Sequence, residues 1–205
     1  MLSNKGFDLW ADGYDKSVGL SDEDNSYPFA GYKKVLGAIY NSIRENGAKS
    51  VLDIGFGTGV LTSRLYADGC KITGVDFSER MIEIAQAKMP DARLICHDFS
   101  CGLPAELAEE KFDAITCTYA IHHLTDEAKV GFIGELLTHL TENGLLLLGD
   151  VAFETCAELD ACREASGDDW DGDEIYIVAE EMRAYFPQAQ FEKFSHCAGV
   201  LTLKK

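Results

Sequence analysis

The sequence predicts a doubly wound α/β domain on a mostly parallel sheet of seven strands, and three observations carry that prediction. From residue 50 onward, short apolar runs alternate with segments of helical periodicity. The run Leu145-Leu146-Leu147-Leu148 is apolar without a break, as expected of a strand covered on both faces. The first strand runs straight into Gly55, Gly57 and Gly59 with a helix pattern behind them. A backbone without Cβ at those positions lets a ligand approach closely.

The elements follow in order. Phe29, Tyr32, Val35, Leu36, Ile39, Tyr40 and Ile43 form an N-terminal helix pattern, preceded by an aromatic and acidic segment. Residues 51–54 are a short buried strand, and Val60, Leu61 and Leu65 begin a helix that stops at Asp68-Gly69. Residues 71–75 are the second strand. Ser78 is a good N-cap for a helix carrying Met81, Ile82, Ala85 and Met89, which Pro90 closes. Residues 93–96 form the third strand, and a short helix starting at Pro104 leads to the fourth at 112–117. Val130, Ile133, Leu136, Leu137 and Leu140 give the clearest helix, with Asn143-Gly144 as its stop before the fifth strand at 145–148. Residues 179–186 read as helical. Residues 191–195 and 200–203 flank Cys197-Ala198-Gly199 as a C-terminal β-hairpin. Strands spaced by single helices imply right-handed crossovers and parallel pairing.

The 205 residues fit one domain, with 46% hydrophobic and 26% charged side chains as in ordinary globular proteins. No stretch approaches the ~20 apolar residues that cross a bilayer, and the N-terminus lacks a signal-peptide core, so the expected location is cytoplasmic. Seven scattered cysteines with no Cys-x-x-Cys pair read as free thiols, and no spacing points to a metal. The net charge of −17 disfavours nucleic acid and anionic membrane as partners. Nine acidic residues from Glu154 to Glu174 face one base, Arg163. They are either a solvated face or an acidic rim that favours a cationic substrate. Nothing in the chain sets the oligomeric state.

In an open α/β sheet the ligand lies beyond the carboxyl ends of the strands. Those ends carry Asp53 and the glycines, Asp76-Phe77, His97-Asp98-Phe99, Thr118-Tyr119-Ala120-Ile121-His122-His123, and Gly149-Asp150. Counting from Gly55, the third position is Gly57, the fifth Gly59 and the sixth Val60. The dinucleotide fingerprint requires glycine at the sixth, so the spacing argues against NAD. Asp76, 21 residues after Gly55, is placed to accept both hydroxyls of a ribose, with Phe77 beside it for a base. Asp98 can accept a hydrogen bond from an exocyclic adenine amine while Phe99 covers the ring. His122 and His123 are each either a general base or a packed helix-start residue.

The run Val51-Leu52-Asp53-Ile54-Gly55-Phe56-Gly57-Thr58-Gly59 resembles the first motif of the class I S-adenosylmethionine-dependent methyltransferases. Ile72-Thr73-Gly74-Val75-Asp76-Phe77-Ser78 resembles their second motif and His97-Asp98-Phe99 their third strand end. Phe112-Asp113-Ala114-Ile115 through His122-His123-Leu124 resembles the fourth. Trp10-Ala11-Asp12-Gly13-Tyr14-Asp15, Phe29-Ala30-Gly31-Tyr32 and the tail around Cys197 are similar to the bacterial YrrT-type methyltransferases. The resemblance implies a Rossmann-like methyltransferase fold over residues 1–205, with 1–46 a helical lid segment and 47–205 the α/β core. It implies S-adenosylmethionine as cofactor. Gly55 and Gly57 would lie near its methionine part, Asp76 on the ribose, Asp98 on the adenine amine, and Phe77, Phe99 and Tyr119 beside it. Tyr14 would fold over the aminocarboxylate, and His122 or Tyr14 would serve catalysis on a small-molecule acceptor. A regulatory module that binds the cofactor without transferring methyl would carry the same signature, as would any acceptor atom, N, O, S or C.

Overall fold

A computed structural model describes residues 25–205. Tyr14 and the rest of the expected lid before residue 25 lie outside the described residues. Helix α1 spans Tyr32–Glu45 and strand β1 Ser50–Ile54. They are followed by α2 (Thr62–Ala67), β2 (Lys71–Asp76), α3 (Glu79–Lys88), β3 (Arg93–Cys96) and β4 (Phe112–Thr118). The C-terminal half holds α4 (Asp126–Thr138), β5 (Leu140–Phe153), α5 (Cys156–Ser166), β6 (Ile177–Val178), α6 (Ala179–Tyr185), β7 (Gln190–Lys193) and β8 (Ala198–Lys204).

The sheet order is β3-β2-β1-β4-β5-β8-β7. The first five strands pair in parallel, and β8 is antiparallel to both β5 and β7. The seven expected strands and the terminal hairpin are therefore all present. The two-residue β6 is an addition, pairing with the far end of β5 at Ala152 and Phe153.

Alternation along each strand divides the core into two layers. Val51, Ala114, Leu145 and Leu147 point to the layer that holds Val35, Ile39 and Ile43 of α1, Leu65 of α2 and Ala85 of α3. Leu52, Ile115, Leu146 and Leu148 point to the other, against Ile133 and Leu136 of α4 and Met182 of α6. Helix α1 lies flat on β5. A Cβ on Gly149 would meet Ile39 and Val35 side-chain atoms at 2.6 Å. Substituting there would push the helix off the sheet.

Three local readings differ from expectation. The α4 helix ends at Thr138, and Leu140 belongs to β5. Asn143-Gly144 lies in an irregularity of β5, because Phe112 pairs with Leu140 while Ala114 pairs with Leu145. Helix α5 was hidden by its polar composition, which buries only Cys162. Thr155 caps it by accepting from the Glu158 amide at 3.3 Å.

Candidate functional site

The strand order reverses beside β1, with β2 on one side and β4 on the other, and a cleft opens at the carboxyl ends of these strands. One lobe, of about 460 Å³, is walled by Asp76, Phe77, Met81, Phe99, Ala120 and His123. A second, of about 390 Å³, reaches Tyr32, Asp53, Thr58 and Thr118. Gly55, Gly57 and Tyr119 line both.

The glycines form the ridge between the lobes because the chain there is left-handed, with φ of +65° at Gly55 and +56° at Gly57. The two differ in what surrounds them. A Cβ on Gly55 would stand 2.5 Å from the Ala120 Cβ, whereas one on Gly57 would meet nothing within 4 Å among the described residues. Gly55 is thus needed for packing, and Gly57 faces the cleft. Tyr119 also has positive φ, +50°, unusual for a residue with a bulky side chain. Its amide donates to the Gly149 carbonyl at 2.8 Å, and its ring packs on Tyr32 and Phe29 at 4.9 and 5.5 Å. Those contacts hold the strained residue at the centre of the cleft.

Asp76 is nearly buried and its carboxylate is fixed by two backbone donors. The Gly57 amide reaches one oxygen at 2.8 Å, and the Ser78 amide reaches the other at 2.9 Å. Each carboxylate oxygen accepts more than one hydrogen bond, so this orientation still suits a diol. Asp53 is 1% exposed; the Thr62 hydroxyl donates to its Oδ2, while Oδ1 has no hydrogen-bond partner among the described residues. Burial, and the charge of Asp76, raise its pKa from 3.8 to about 7, against the Thr62 hydrogen bond.

Of the other expected residues, Phe77 and Phe99 line the first lobe. Asp98 stands at an exposed rim outside both linings and accepts from the Ser100 amide at 2.9 Å, capping a short 3₁₀ turn. His122 and His123 separate. His123 lines the first lobe, with burial and His122 lowering its pKa to about 4. His122 is 8% exposed and belongs to neither lobe's lining, its Nδ1 2.7 Å from Asp150 Oδ1. Burial opposes charge on this ring, but Asp150 and then Glu174 outweigh it and raise its pKa above the usual value.

Tyr32, Met81 and Glu174 went unnoticed in the sequence. Tyr32 and Met81 carry ordinary helix periodicity, and Glu174 is one of many acids. The acidic run in fact divides. Glu154 pairs with Arg183, Glu158 with Lys193, and Glu174 turns inward. Asp168, Asp169 and Asp173 remain exposed.

Comparison with known proteins agrees with this architecture. Residues 51–144 match the family model described as a methyltransferase domain. An uncharacterized methyltransferase of Oceanobacillus iheyensis is 36% identical over 199 residues, covering 92% of this chain and 86% of its own. Another, from Anoxybacillus flavithermus, is 37% identical over 147 residues, 72% of this chain and 66% of that protein. Among solved structures, an S-adenosylmethionine-dependent methyltransferase from Clostridium acetobutylicum superposes with a TM-score of 0.68 at 21% identity, covering 93% of this chain and 98% of that one. The magnesium protoporphyrin IX methyltransferase of Synechocystis with bound SAH gives 0.67 at 18% identity, covering 86% and 84%. The glycine ridge lies inside the matched family segment, and the match to the Oceanobacillus protein runs through nearly the whole chain. The protein belongs to the same methyltransferase family as these bacterial relatives.

Proposed function

We propose that this chain binds S-adenosylmethionine across the Gly55–Gly57 ridge and transfers its methyl group to a small-molecule acceptor. The single observation that carries this reading is the cleft divided in two at Gly55, Gly57 and Tyr119, with a backbone-locked Asp76 in one lobe and, in the other, Asp53 Oδ1, which has no partner among the described residues. An elongated ligand with a nucleoside at one end and an ammonium group at the other fits that pair of carboxylates.

In this reading Asp76 accepts the ribose hydroxyls, and Phe77, Met81 and Phe99 enclose the base. Asp98 at the rim takes the exocyclic amine, and Asp53 Oδ1 receives the ammonium group. Tyr14 remains the proposed lid hydroxyl. The cofactor supplies an activated sulfonium methyl, so the protein's task is alignment and exclusion of water. Tyr119, held between Tyr32 and Phe29, sets the boundary where the two lobes meet. His123, rather than His122, is the histidine in the lining of the first lobe. The small-molecule class of the acceptor is supported by the net charge of −17, which disfavours a phosphate backbone.

Calorimetry with S-adenosylhomocysteine tests the assignment. Asp76→Ala is expected to weaken binding by about 1–3 kcal/mol through lost hydrogen bonds. Unchanged affinity would remove Asp76 from the site, and thermal stabilisation by NADH alone would overturn the cofactor. Release of S-adenosylhomocysteine in a metabolite screen separates an enzyme from a binding module.

A further inference from the structure

We propose that His122, His123 and Glu174 form a binding site for one divalent transition-metal ion of the zinc type, beside the cleft. One ligand atom from each of the three side chains lies within 4.8 Å of the others. Two imidazoles and a carboxylate suit Zn²⁺, Co²⁺ or Ni²⁺ rather than Mg²⁺ or Ca²⁺, which require oxygen ligands.

The spacing favours a shared ion over a direct contact. His122 Nε2 and Glu174 Oε1 are 3.4 Å apart, longer than the ~2.7–2.9 Å of a charge-assisted hydrogen bond. Two ligands each about 2.0–2.1 Å from a tetrahedral centre stand about 3.3–3.4 Å apart. The gap therefore equals one edge of such a tetrahedron.

The surroundings supply the outer contacts that metal ligands require. Asp150 Oδ1 holds His122 at Nδ1 and leaves Nε2 directed to Glu174. The Tyr176 hydroxyl donates to the other Glu174 oxygen at 2.7 Å. The Ile175 amide donates to the His122 carbonyl at 3.0 Å, tying the loop that carries Glu174 to the histidine turn. His123 also lines the first lobe of the cleft, so an ion held there would adjoin the proposed acceptor side. That last placement rests on the proposed function; metal binding itself does not.

The test uses the full chain, stripped with chelator and titrated with Co²⁺ by absorption and Zn²⁺ by calorimetry, without cofactor. The expected result is one equivalent of Co²⁺ with nitrogen and oxygen ligation and no thiolate-to-cobalt band. Glu174→Gln or His123→Ala should weaken it roughly tenfold or more. A Cys162→Ser/Cys197→Ser double variant, which disables the other cluster of potential ligands with His196, should bind as the parent does. No binding by the parent protein, parent affinity in both Glu174→Gln and His123→Ala, or binding that follows the cysteines would overturn the proposal. Calorimetry with S-adenosylhomocysteine on the same metal-free protein reports the cofactor site separately, so the two readings fail independently.

Discussion

Replacing Gly55 with alanine separates two demands that the ridge makes on one residue. At φ +65° an alanine is in the left-handed region, which costs about 1–2 kcal/mol. Its Cβ would also stand 2.5 Å from the Ala120 Cβ, and relieving such an overlap in a packed site costs about 1–3 kcal/mol. Ala120→Gly removes the opposing methyl group, so it should recover the second cost and leave the first. A double-mutant cycle by urea denaturation is thus expected to show a favourable coupling of about 1–3 kcal/mol, with the denaturant slope unchanged. Gly57→Ala is the internal control. It bears the same kind of backbone cost at φ +56°, but its Cβ would meet nothing within 4 Å among the described residues, so Ala120→Gly should not rescue it. Its methyl group would instead intrude on the cleft and reduce cofactor affinity. Additivity of Gly55→Ala and Ala120→Gly within about 0.5 kcal/mol would refute the contact on which this reasoning depends.

Two further outcomes concern buried or partly buried carboxylates. Asp113 Oδ2 accepts from the Lys49 and Ser50 amides at 2.9 and 3.0 Å and from the Ser50 hydroxyl at 3.0 Å, while Oδ1 accepts from Thr141 at 3.1 Å. Burial raises its pKa, but these donors outweigh that and hold it below 3.8, so its stabilisation is present above that pH and lost on acidification. Asp113→Ala should cost about 2–3 kcal/mol at neutral pH by denaturant titration, and much less in acid. Asp53 has the opposite sign. Its pKa is raised to about 7, so its contribution is full below 3.8 and is lost as pH rises to about 7. Asp53→Asn should flatten that descent and stabilise the protein above pH 7 while weakening S-adenosylhomocysteine binding. Parallel stability–pH curves for the two proteins would contradict the assignment.

The ridge was legible because its requirement is local. Gly55, Gly57 and Gly59 all have positive φ, a property tied to residue type and readable from spacing. The place of Asp76 at the cleft was legible because strand, turn and helix cap follow one another without a gap. The division of labour between His122 and His123 was not, since adjacent residues of a 3₁₀ turn point in different directions and no periodicity tells which one faces the cleft. Glu174 was invisible for another reason. Its neighbours are acids on a solvent-exposed segment, and only the fold shows that this one turns to His122 while Asp173 stays outside. Asp98 was singled out for its place at a strand end. A carboxylate at a strand end also caps the turn that follows, and here the cap is what the structure displays.

These differences have a common origin in the order of the chain. The ridge, Asp76, Phe99 and Tyr119 come from consecutive strand ends within the matched family segment 51–144. Glu174 and Tyr176 come from beyond it, on the connection between α5 and β6, and reach the histidine turn through contacts distant in sequence. That connection is also joined to the N-terminal side through Tyr27, whose ring stacks on Trp170 at 5.1 Å and whose hydroxyl meets that of Tyr176. Changes in this connection can therefore remodel the wall around His123 while the carboxylates and glycines of the cofactor lobes keep their positions. Under the proposed function, such an arrangement would let acceptor choice vary on a constant donor site.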